Sequence, residues 1–106
     1  MGMSIKTIGN SIFPSSNYLI LRPIMVGKAV FQVVPDEPMD THHLIFTRDG
    51  VNSVIIASHP NGFSCHCLAE RIITGDTQRI KEQVDYIIAC GGISKSLDDI
   101  LALISI

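Results

Sequence analysis

The chain has 106 residues, 46% of them hydrophobic and only 17% charged, with a net charge of −2. That length suits one domain with a single modest core, and that composition excludes a disordered chain. The near-neutral charge, with no basic cluster, excludes a nucleic-acid binder driven by the phosphate backbone. No apolar run is long enough to span a bilayer, so no membrane partner is expected.

Residues 1–17 are polar and punctuated by Gly9 and Pro14, which predicts an irregular start within the single domain 1–106. The opening MGMSIKTIGN lacks the apolar core of a signal peptide, and the three cysteines are an odd number. Both features point to reduced thiols and a cytoplasmic location. Residues 18–26 are rich in Leu, Ile and Val, 28–34 alternate loosely through Val30, Gln32 and Val34, and Gly27 between them predicts a hairpin or a bulged bend. The run "PDEPMDT", with two prolines, predicts a loop; its Asp36, Glu37 and Asp40 form an acidic stretch unsuited to calcium. Residues 43–48 and 51–57 predict two further strands around an Asp49-Gly50 turn.

Punctuation changes in the second half. Ser64 predicts a helix start, and Cys65, Leu68, Ala69, Ile72 and Ile73 fall on one helical stripe ending at Gly75. Asp76 opens a short second helix, with Ile80 and Val84 on one face. Residues 86–89, apolar throughout, predict a strand covered on both faces. A last helix carries Leu97, Ile100, Leu101 and Ile104 on one stripe, with Ser96 and Asp99 at capping-box spacing. The expected fold is α/β: a mixed sheet with a parallel βαβ unit in the second half and hairpin strands in the first. The helices should pack on that sheet.

Two segments echo each other. "SVIIASHPNG" and "DYIIACGG" both run through Ile-Ile-Ala to a reactive side chain, His59 or Cys90, with glycine close behind. In a right-handed parallel unit, both strands would end on one sheet edge, where open α/β sheets carry their ligands. Adjacent strands lie about 5 Å apart, close enough for His59 and Cys90 to meet. Such a pair suits thiol nucleophilic catalysis, with the N–H groups of Gly91 and Gly92 facing an oxyanion.

A strand ending in His with a following Gly, then a strand ending in Cys with a following Gly, resembles the caspase-like cysteine peptidases. That group includes the clostripain-like enzymes and toxin self-processing domains. The resemblance covers about residues 51–104. It implies Cys90 as nucleophile, His59 as catalytic histidine, a peptide or small acyl substrate, and no cofactor.

Other constellations compete. Cys65-His66-Cys67, with His59 and His42-His43, supplies soft zinc ligands. The spacing is unlike a zinc ribbon or finger, and Cys65 falls on the apolar stripe, so no metal is expected. "CGGISKS" resembles a Cys-first phosphate loop, such as those of phosphocysteine carriers and small phosphatases, and a loop opening a helix suits an anion. The non-enzymatic alternative is an assembly module. So few charges, and an Ile-rich C-terminus, suit a sticky face buried in a homodimer or larger assembly.

Overall fold

Gly27 takes φ +60°, and the turn it makes joins strand β1 (Ile24–Val26) to strand β2 (Ala29–Asp36) as the expected hairpin. The computed structural model describes residues 21–49 and 52–105. The expected irregular start, the opening of the strand expected over 18–26, and Gly50 and Val51 lie outside the described residues. A single 3-10 turn, Glu37–Met39, follows β2 and is capped by the Asp36 side chain. Strand β3 (Thr41–Arg48) and strand β4 (Val54–His59) complete an antiparallel meander. Then come helix α1 (Gly62–Thr74), helix α2 (Thr77–Ala89), the two-residue strand β5 (Ile93–Ser94) and helix α3 (Leu97–Ile104).

The sheet order is β1-β2-β3-β4-β5, and every neighbouring pair is antiparallel. The expected parallel βαβ unit is therefore not formed, although the α/β class and the first-half hairpin strands are. The reason lies in residues 86–89. They are the last turn of α2, not a strand, because the buried positions Ile80, Gln83, Val84 and Ile87 continue one helical face. A short apolar run bounded by glycine fits a buried helix end as well as a strand. One helix between two strands returns the chain to its starting end and makes them parallel. Here two helices, joined only by Gly75 and Asp76 and packed together, leave β5 antiparallel to β4.

Along β2 and β3, alternate side chains face the helices. Ala29, Phe31, Val33, Leu44 and Phe46 pack with Leu68, Ala69, Ile72, Ile80, Val84, Ile87 and Ile100 in one core. The helices contribute their amphipathic faces to this side alone, so among the described residues the other sheet face carries no covering element. Leu44 pairs with Ala57 but Ile45 pairs with Ile55, which leaves Ile56 as an extra residue. This β-bulge buries both Ile56 and Ala57.

Candidate functional site

The bulge decides what the end of β4 presents. An uninterrupted ladder from the Ile45–Ile55 pair would set residue 57 opposite His43. With one residue inserted, Ser58 pairs with His43 on the open face, and His59 pairs with His42 on the helix face. Re-aiming side chains in this way is a common use of bulges beside functional sites.

On the open face three strands converge. The Ser58 hydroxyl lies 2.6 Å from His43 Nδ1, and His43 Nε2 lies 2.8 Å from Asp36 Oδ2. The carboxylate can only accept, so Nε2 carries the proton and Nδ1 accepts from Ser58. The other carboxylate oxygen, Asp36 Oδ1, accepts from the Met39 N–H at 3.4 Å. The result is a nucleophile, a base and an orienting acid in one hydrogen-bonded chain. A shallow open depression of about 770 Å³ adjoins it, lined by Val34, Pro35, Asp36, Glu37, Pro38 and His43.

On the helix face His59 is 7% exposed. Its Nδ1 accepts from the Asn61 N–H at 2.9 Å, so Nε2 bears the proton, and that donor has no acceptor among the described residues. The ring stacks on Tyr86, with centroids 6.1 Å apart. Tyr86 in turn hydrogen-bonds the Cys90 side chain, which pushes ionisation of its hydroxyl upward; Ser64 opposes that shift. His59 and Cys90 thus come to one corner of the molecule, with Tyr86 contacting both.

The rest of the expected thiol site is arranged differently. Cys90 is exposed and caps the C-terminal end of α2, where the helix dipole is negative. Reactive cysteines favour electropositive surroundings. The Gly91 N–H donates to Ile88 O at 3.0 Å and the Gly92 N–H to Ile87 O at 2.8 Å, so both close the helix end rather than face an oxyanion. The "CGGISKS" run spans the Cys90 cap of α2, strand β5 and the Ser96 cap of α3, so its glycines close one helix and stand apart from the start of the next. Gly92 answers to packing: a Cβ there would lie 2.6 Å from Ser58 O. Gly62 does the same for the His42 ring, which would lie 3.0 Å from its Cβ.

Cys65 is wholly buried and donates toward His42 O at 3.8 Å, and burial pushes its thiol up to about 11. Cys67 is half-buried further along α1. Among the described residues no three His, Cys, Asp or Glu side chains gather where they could hold a metal ion. Among them, too, no helix is long and apolar enough to cross a membrane.

Sequence patterning alone misses Asp36, His43 and Ser58 as a group. Asp36 reads as loop, His43 as the start of a strand and Ser58 as filler before His59. The one available signal is the paired His-Asp content around the 36–43 connection. No family model matches the chain, and no curated protein or solved structure is significantly similar to it.

Proposed function

We propose that this protein is a cytoplasmic assembly module that works as a homodimer, joined across part of its open sheet face. One observation carries the reading: among the described residues the helices cover a single face of the sheet, and the other is half apolar. The register places Met25 opposite Val30 and Ile45 opposite Ile55 on that face. Met25 is 73% exposed and Ile55 51%. The polar residues Asp36, His43 and Ser58 occupy the opposite end of the same face. Exposed apolar area of this kind marks association surfaces, and a two-fold pairing of like patches is the commonest solution. The three cysteines are unpaired, in keeping with a reducing compartment.

Sedimentation equilibrium of the full chain tests this. A dimer is expected, and the double substitution Ile45→Lys with Ile55→Lys should yield a monomer of unchanged circular dichroism. A wild-type protein that stays monomeric at high micromolar concentration would refute the reading.

The thiol-hydrolase reading ranks second and rests on the shared corner of His59, Tyr86 and Cys90. In it Cys90 attacks an acyl carbon of a peptide or small acyl substrate and His59 moves the proton. The spent N–H groups of Gly91 and Gly92 and the negative helix end weigh against it. Its measure is alkylation: a catalytic Cys90 reacts with iodoacetamide faster near neutral pH than an ordinary exposed thiol, and His59→Ala slows it.

A further inference from the structure

Beyond association, we propose that Ser58 is a histidine-activated nucleophile that takes acyl groups from small neutral or cationic esters. The case begins with the register. Asp36, His43 and Ser58 sit on three successive strands, and only the Ile56 bulge turns Ser58 to the face that His43 occupies. The two hydrogen bonds, 2.6 Å and 2.8 Å, are both short, and they share one tautomer. Ser58 is held from behind as well, because its carbonyl abuts Gly92 so closely that no Cβ fits there.

The chain of groups performs the roles that acyl-transfer enzymes assign to serine, histidine and aspartate, with the two ring nitrogens exchanged. Ser58 Oγ bonds to the acyl carbon while its proton passes to His43 Nδ1. Asp36 stabilises the imidazolium formed, through Nε2. The bond from the acyl carbon to the leaving oxygen then breaks, and Nδ1 returns the proton to the departing alcohol. Water, entering by the same route, releases the acid and restores Ser58.

Access and selectivity follow from the surroundings. The His43 and Asp36 side chains are 22% and 29% accessible, so the relay borders solvent. The adjoining depression carries Asp36 and Glu37, which repel an anionic substrate and admit a neutral or cationic one. The nearby glycine N–H groups are committed to α2, so the developing oxyanion gains little from them. Losing one such donor costs about a hundredfold or more in turnover. Fast acylation by a reactive probe with slow ester turnover is therefore the expected signature.

The full-length chain is treated with a fluorophosphonate probe and with p-nitrophenyl acetate. The label should map to Ser58 by peptide mass, and Ser58→Ala should abolish both labelling and ester release. His43→Gln should slow labelling by about a hundredfold, in line with loss of a general base. Asp36→Asn should slow it by at least about tenfold and displace its pH profile, an effect that loss of a purely structural bond would not produce. An anionic p-nitrophenyl ester should react more slowly than the acetate. Absence of label on Ser58 overturns the proposal. So does a labelling rate that His43→Gln leaves unchanged, because the hydroxyl is then an ordinary one in a cross-strand bond. Ser58→Cys keeps the test decisive if His43→Gln fails to fold: its thiol should alkylate faster than exposed Cys90, and equal rates would count against activation.

Discussion

Cys65 shows how far burial can move one group. Its thiol stays neutral in the fold up to about 11, against an ordinary value of 9.0. The unfolded chain therefore releases this proton first as pH rises, and the fold loses stability between those two values, with no further loss from this group above them. One pKa unit corresponds to about 1.4 kcal/mol, so Cys65 alone should remove about 2–3 kcal/mol over that range. Urea unfolding of wild type and Cys65→Ala at several alkaline pH values should show that slope flattened in the variant. Gly92 makes a second test at this scale. An added methyl meets Ser58 O at 2.6 Å and Ile87 Cγ2 at 2.8 Å, so Gly92→Ala must shift backbone rather than a flexible side-chain tip. Overpacking of this kind costs about 1–3 kcal/mol, to be read as a lowered urea midpoint. Gly91→Ala should also destabilise, but for backbone reasons, since its φ is +89° and the space around it is open.

The elements explain where sequence reading succeeds. The β1–β2 hairpin, the Gly75 stop of α1, the Asp76 cap of α2 and the Ser96 cap of α3 are local events, and each is legible in the chain. Asn61 rather than Ser64 caps α1, through a 2.9 Å bond to the Phe63 N–H, so that helix starts earlier than the polar-residue signal indicates. Residues 86–89 mislead because Tyr86, Ile87, Ile88 and Ala89 have no polar interruption, whereas only Ile87 among them is buried. Tyr86 and Ile88 are about half exposed, so the run is an apolar helix surface, not a strand buried on both faces. Removing buried volume should confirm the helical face: Val84→Ala should cost about 1–3 kcal/mol and Ile88→Ala under about 0.5. A strand with both faces covered would penalise Ile87→Ala and Ile88→Ala alike.

At the scale of the whole molecule, a single error of element type changes the topology. Reading 86–89 as helix adds a second crossover element, and β5 turns antiparallel to β4. The shared strand edge on which a Cys90 and His59 pair was built then disappears, and what remains is a corner where Tyr86 contacts both. Asp36, His43 and Ser58 meet only because the ladder slips by one residue at Leu44/Ile45. If the chain associates through Ile45 and Ile55, its thermal midpoint should rise with protein concentration, and that dependence should vanish in the double lysine variant.

By itself, then, the sequence determined whatever depends on neighbours along the chain: the Asp76 and Ser96 caps, the turns at Gly27 and Gly75, the amphipathic stripes and the α/β class. Those features are set by backbone sterics and by periodicities of two and 3.6 residues, which read over a few positions at a time. Tertiary structure alone decided strand direction, the bulge at Ile56, and which histidine faces which hydroxyl. Each of these turns on long-range pairing, in which inserting one residue transfers every later side chain to the other face of the sheet.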